Sequence, residues 1–268
     1  MSETSRQPLQ TVLKALALLQ AFDLDEEWLG VRELGRILNL NSATVHNLLS
    51  TLATAGFVEQ DPGSRKYRLG LGLVRMAGIK LAQLDIVGIA NPLLKHLAES
   101  TGETITLSVL HGDDLLYLAK VESAQPVRVA SRIGGSAPLH CSANGKALLA
   151  FRPPAEIDRM LARPLKRYTE ATVVNPERIK EDLKRIRGSG YATDFGAYIE
   201  GVNAIAAPVR DAQGVIVASL GVVAPASRLT RSKASTYASP AIATANHIAS
   251  GLGWIDEPQS VRAMAQGR

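Results

Sequence analysis

The chain has 268 residues, a formal net charge of +5, 46% hydrophobic and 21% charged residues, and one cysteine. That is long enough for one large or two modest domains, each with its own core, and the composition is that of an ordinary soluble protein. A single cysteine excludes an intrachain disulfide framework, and MSETSRQPLQ lacks the apolar core of a signal peptide, so a reducing, cytoplasmic setting is expected.

In chain order, PLQTVLKALALLQAF places Leu9, Val12, Leu13, Leu16 and Leu19 at helical spacing. After an acidic turn, VRELGRIL predicts a short second helix with Val31, Leu34 and Leu38 inward. In NLNSATVHNLLSTLATAGF, Asn41 or Ser42 can cap a third helix that Gly56 ends, with Val45, Leu48, Leu49 and Leu52 as its apolar stripe. The opposite face carries Ala43, His46, Asn47 and Ser50, with Thr44 and Thr51 at its edge. Short hydrogen-bonding side chains without charge suit base edges in a major groove, whereas a merely solvated face favours Lys and Glu. FVEQD and KYRLG, joined by Pro62-Gly63-Ser64-Arg65, form a hairpin, which completes the order of a winged helix-turn-helix. The case for DNA rests on this pattern and not on net charge, since residues 1–75 hold eight Lys/Arg against eight Asp/Glu.

Residues from Leu71 to about Ile89 read as one long connecting helix, with Leu73, Met76, Ala77, Leu81 and Leu84 as a stripe suited to self-association. Asn91-Pro92 signals a fresh helix start and Gly102 its end. The domain boundary is expected between about 75 and 90. Beyond it, TITLSVLHG and DLLYLAKV form a hairpin, VRVAS a further strand, NPERIKEDLKRIRGSG a surface helix from Asn175 to Gly188, and NAIAAPVRDAQGVIVASLGVVAP two more strands. Ala234 to Ile255 carries no charge, yet it holds too many Ser, Thr, Asn and His residues for hydrocarbon and reads as a buried helix. Hairpins with interspersed helices give an α+β class, and the tail 256–268 is expected to be disordered.

PLHCSANGKALLA, Pro138 to Ala150, is where chemistry would sit. A phosphate loop fails, because His140 stands where the first glycine belongs and Ala147 follows Lys146. Metal is not expected, because His140-Cys141 is one adjacent pair and His96, His111 and His247 follow no ligand spacing. Cys141 before a helix start could be an activated nucleophile, making the chain a thiol sensor or hydrolase. The alternative is a small buried apolar cysteine. The preferred reading is a pocket: Ser142 caps a helix from Ala143, leaving the first-turn N–H groups of Ala143, Asn144 and Gly145 to receive a carboxylate without chemistry.

LQTVLKALALLQAF, VRELGRILNLNSATVHNLLSTLATAGFVEQD, SRKYRLGLGL, PLHCSANGKALLA and IAAPVRDAQGVIVASLGVV, in this order from about Leu9 to Leu252, resemble the IclR family of bacterial transcriptional regulators. The resemblance implies a winged helix-turn-helix at 1–70, a helical linker at 71–89 and a GAF-like mixed α/β effector-binding domain at 90–255. It implies no enzyme activity and no cofactor. It also implies a homodimer or homotetramer on double-stranded operator DNA, usually as a repressor, with a small organic acid as effector.

The DNA-contacting set is then Ser42, Ala43, Thr44, His46, Asn47 and Ser50, with Arg65 and Lys66 of the hairpin tip on phosphate. Family sequences often carry Arg at the position of Asn47, and Asn pairs with adenine where Arg pairs with guanine. The effector set is Cys141, Ser142, Ala143, Asn144, Asp194, Ala204, Gly221 and Val223. Relatives that bind very small oxo-acids have hydroxyl side chains where this chain has Gly221 and Val223, so a roomier, less polar pocket is expected, pointing toward a larger, aromatic effector. Helices around Leu73–Leu84 are the expected relay between effector and DNA.

Overall fold

The computed structural model describes residues 8–22, 27–82, 85–126 and 132–255. The chain divides into two units, Met1–Leu84 and Asp85–Arg268.

In the first unit, α1 (Gln10–Gln20), α2 (Val31–Leu38) and α3 (Ser42–Thr54) precede β1 (Val58–Gln60), β2 (Tyr67–Leu69) and α4 (Leu71–Ala82). Leu18, Leu29, Leu34, Val45, Leu48, Leu49, Val58 and Tyr67 form the core. The α1 stripe anticipated from the sequence points outward: Leu9, Val12, Leu13 and Leu16 are exposed. A second stripe one position round, Ala15, Leu18, Leu19 and Phe22, meets the core. Asn39 takes left-handed φ at 52° after α2. Asn41, not Ser42, caps α3, its Oδ1 accepting from the Thr44 N–H at 2.8 Å.

The β1–β2 hairpin gains a third partner, because Leu29 and Tyr67 exchange both backbone hydrogen bonds, at 2.9 and 2.8 Å. Arg68 braces it, bonding Glu59 and Glu27 and lying over the Trp28 ring at 4.8 Å. At the root of α4, Gly70 donates to the Phe57 carbonyl and Gly72 to the Gly56 carbonyl, at 2.8 and 2.9 Å. A Cβ on either glycine would stand 2.5–2.6 Å from the Gly56 oxygen, so only glycine allows this approach.

The described part of α4 runs to Ala82, and α5 runs Asp85–Thr101 with Pro92 in its interior, so Asn91-Pro92 is not a helix start. Ile86, Ala90, Leu94 and Leu97 are buried on both sides of the proline, and their packing outweighs the lost hydrogen bond. On α4, Leu71, Val74, Met76 and Ile79 are exposed, as is Ala77, while Leu73 is half-buried. The Leu81 side chain and Leu84 lie outside the described residues.

The second unit is an antiparallel sheet covered on both faces. Its strands are β3 (Thr104–His111), β4 (Asp114–Val121), β5 (Ser136–Pro138), β6 (Ala192–Phe195), β7 (Val202–Arg210) and β8 (Ile216–Pro225), in the order β5-β4-β3-β8-β7-β6. Alternation along β7 assigns the two faces. Ala204 and Ala206 join α6 (Ala143–Leu149), α7 (Pro154–Leu161) and α8 (Pro176–Ser189) in one core. Ile205 joins α9 (Ala234–Gly251) on the other side, where α5 also packs.

α8 stops at Gly190, in left-handed φ at 78°, and not at Gly188. α9 buries only its alanine face with Ile248, and among the described residues no helix is long and apolar enough to cross a membrane. The strand expected at VRVAS and the tail 256–268 lie outside the described residues.

Candidate functional site

α3 presents Ser42, Ala43, His46, Asn47 and Ser50 as an exposed row, with Thr44 half-buried beside its cap. Val45, Leu48 and Leu49 anchor the opposite side. Thr51 and Thr54 bond back to the Asn47 and Ser50 carbonyls, so their hydroxyls are engaged within the helix. At the hairpin tip, Arg65 is exposed with φ 60°. The carboxylate of Asp61 receives the Ser64 N–H, and hydrogen bonds from the Ser64 hydroxyl and N–H hold its pKa below the ordinary carboxylate range. Lys66 lies 3.5 Å from Glu33, so one of the two tip cations already has a carboxylate partner.

The second site is a cavity of about 240 Å³ in the other unit, walled by Tyr117, Ser142, Ala143, Asn144, Asp194, Tyr198, Val202, Ala204 and Val223, with Arg132 and Ile199 also lining it. Ser142 builds its floor. It caps α6 by accepting the Gly145 N–H at 3.1 Å and donates to the Pro138 carbonyl at 2.6 Å. Gly145 is therefore not a free donor, which leaves the backbone N–H groups of Ala143 and Asn144 at the cavity. Gly145 is required sterically, since a Cβ there would sit 2.5 Å from both Leu139 Cα and the Pro138 oxygen.

Asp194 is a strand residue on β6 and buried at 5% exposure. Its Oδ1 accepts the Ala197 N–H at 2.7 Å. Burial raises its carboxyl from 3.8 to about 6, against smaller lowering effects of the Ala197 and Tyr198 N–H groups and the Lys146 charge. Near neutral pH such a group can either accept or donate a hydrogen bond. Burial also raises the pKa of the Tyr117 phenol.

The remaining expected residues fall elsewhere. Cys141 faces a separate cavity of about 170 Å³ with His140, Lys146 and Asp182. Burial pushes its thiol up to about 12, so desolvation outweighs any activation by the nearby helix start, and the sulfur stays protonated at neutral pH. The His140 ring pairs with the Lys166 carbonyl at 3.1 Å. Lys146 bonds Asp182 at 2.7 Å. Gly221 does not line the main cavity; the space beside it is filled by Asn144. The extra room expected at that position is therefore absent, while Val223 does offer the apolar wall. Tyr117 and Tyr198 were not anticipated, because no local pattern marks two tyrosines 81 positions apart as wall-mates. Among the described residues no group of three His, Cys, Asp or Glu side chains could hold a metal ion.

Residues 11–62 match the model of the IclR helix-turn-helix domain, and residues 79–250 that of the bacterial transcriptional regulator IclR C-terminal domain. The HTH-type transcriptional regulator KdgR of Escherichia coli K12 is 33% identical over 260 residues, spanning 96% of this chain and 98% of that protein. The HTH-type transcriptional repressor AllR of the same organism is 30% identical over 247 residues, spanning 91% and 90%. A crystal structure of an IclR homolog from Microbacterium hydrocarbonoxydans complexed with 4-hydroxybenzoate superposes with a TM-score of 0.82 at 26% identity, covering 90% of this chain and 98% of that one. An IclR regulator from Silicibacter sp. TM1040 gives 0.80 at 33% identity, covering 93% and 98%. A helix-turn-helix with its hairpin, a second unit holding an enclosed cavity and these likenesses place the chain in the IclR family of bacterial transcriptional regulators.

Proposed function

We propose that this regulator is a repressor whose affinity for operator DNA is controlled by a small organic acid, an aromatic one by preference, held in the Asp194 cavity. It works in the cytoplasm, without cofactor and without turning its ligand over. Two copies, associating through the exposed apolar residues of α1 and α4, would set their third helices into successive major grooves of a near-palindromic site. Ser42, Ala43, Thr44, His46, Asn47 and Ser50 would face base edges and Arg65 and Lys66 the phosphates.

The carrying observation is the cavity itself. At about 240 Å³ it has room for roughly eight waters, hence for a compact acid and not for a nucleotide. Val202, Ala204, Val223 and Tyr117 suit the flat body of such a ligand. Its carboxylate would take the Ala143 and Asn144 N–H groups, and a hydroxyl would pair with Asp194. The 4-hydroxybenzoate complex of the Microbacterium homolog supports this ligand class by analogy. The ligand acts only if it binds the DNA-competent and DNA-incompetent arrangements unequally.

The test is fluorescence anisotropy of the purified protein on a duplex from its own upstream region, with and without 4-hydroxybenzoate and a panel of organic acids. Expected is specific binding that one acid class weakens. Indifference to every such duplex, or steady consumption of the acid, overturns the reading. The rival thiol-centred reading is disfavoured by the protonated, buried Cys141.

A further inference from the structure

The far end of α6 opens onto a different cavity. Ala150 closes the helix, the chain passes through Phe151 and Arg152 into α7, and α8 packs in the same core through Ile179, Leu183 and Ile186. The space between them is about 480 Å³, twice that of the Asp194 cavity, and the two share no lining residue. Phe151, Pro154, Ile157 and Leu183 give it an apolar body. Its charged groups are Arg152, Lys180, Arg187 and Asp158.

The three cations are not equally committed. Lys180 Nζ bonds Asp158 Oδ1 at 2.7 Å and Glu177 Oε1 at 3.1 Å, so its charge and that of Asp158 are already compensated. Arg187 donates from Nη1 to the Ala150 carbonyl at 2.6 Å. That bond holds the guanidinium against the last turn of α6, yet no carboxylate among the described residues answers its charge. Arg152, two residues beyond Ala150, is half-buried, and its Nε is buried without a hydrogen-bond partner. A buried guanidinium N–H with no acceptor is costly. Arg210 adds a further cation nearby, lying over the Phe151 ring at 5.1 Å.

We propose that this cavity is a second ligand site, one that takes a phosphate monoester with an apolar, ring-sized body. Two unanswered guanidiniums call for a dianion, and the forked N–H groups of Arg152 and Arg187 match the several oxygens of a phosphate better than the two of a carboxylate. The apolar walls receive the body of the ester. At room for roughly sixteen waters, the cavity admits a fused ring that the Asp194 cavity would refuse. The two sites therefore differ in the charge and the size of what they accept, and they stand at opposite ends of α6, with Ala143 at one and Ala150 at the other. The assignment is independent of what the Asp194 cavity binds.

The experiment is calorimetric titration of the full chain with 1-naphthyl phosphate, 1-naphthoate and inorganic phosphate. The ester should bind about 10-fold or more tightly than either the carboxylate of the same body or the phosphate alone. Equal binding of the ester and inorganic phosphate would reduce the site to an adventitious anion contact and overturn the proposal, as would equal binding of ester and carboxylate. Arg152→Gln and Arg187→Gln should each weaken the ester by about 10-fold or more. Without ligand, Arg152→Gln should keep or raise Tm, because it removes a buried charge that has no partner. A clear fall in its Tm would make Arg152 a structural residue and overturn the assignment. An unchanged Kd in Arg152→Gln, or displacement of the ester by excess 4-hydroxybenzoate, would put the ligand elsewhere. If the ester does not bind and either variant instead changes the sedimentation of the free protein, the face belongs to another copy of the chain and the proposal falls.

Discussion

The α3 surface and the α6 cavity are built in opposite ways. α3 keeps its small polar side chains outward and uses the inward stripe of Val45, Leu48 and Leu49 only as an anchor. Every residue of α6 is buried, and its one strongly polar side chain near the cavity, Asn144, is turned away into the sheet. Side chains thus make the first site and backbone with enclosing walls makes the second. Substitutions on α3 should therefore change what is recognised, whereas substitutions around α6 should first change whether the site exists.

The largest expected effect would separate the two units. Leu49→Ala removes a fully buried side chain from the small core of the winged unit and should cost about 2–5 kcal/mol there. Calorimetry should show an early transition from that unit with loss of duplex binding, while acid binding by the other unit persists. Loss of both together would break the contrast.

Next is the pH dependence of Asp194. Its carboxyl is raised from 3.8 to about 6 by burial, so its protonation favours folding. That contribution is fully present below pH 4 and is lost as pH rises through 6, amounting to about 3 kcal/mol by pH 7. Asp194→Asn should therefore be more stable than the wild type at pH 7 and lose that advantage at pH 4. Parallel Tm curves for the two proteins would refute the assignment.

A smaller change is expected on the outward row. Asn47→Arg should leave Tm nearly unchanged and shift one operator position from adenine toward guanine, by about 1–3 kcal/mol in selection against random duplexes. Smallest of all is the response to oxidation. With Cys141 buried and its thiol pushed up to about 12, hydrogen peroxide should leave duplex affinity unchanged in anisotropy.

The same contrast explains what could be read from sequence. The α3 row was legible because both its faces follow one period, and the hairpins because their turns carry Gly with Asp or Pro. The edge strands β5 and β6 escaped, being three and four residues long. The outward stripe of α1 misled because that helix carries two apolar stripes, and only tertiary packing chooses Ala15, Leu18, Leu19 and Phe22. Pro92 read as a start because its local rule is strong, yet buried neighbours on both sides overrode it. Ser142 and Asn144 were visible as a cap and its neighbour. That Asn144 fills the place of a side chain at 221, 77 positions away, depends on strand register, which no local pattern carries.

The glycines at 70 and 72 have a mechanical meaning. Because they seat the start of α4 directly on the peptide groups of Gly56 and Phe57, there is no side-chain cushion between that helix and the segment leaving α3. Torque applied along α4 would reach α3 without slack. Inserting one residue at 70–72 should then disturb α3 as well as α4.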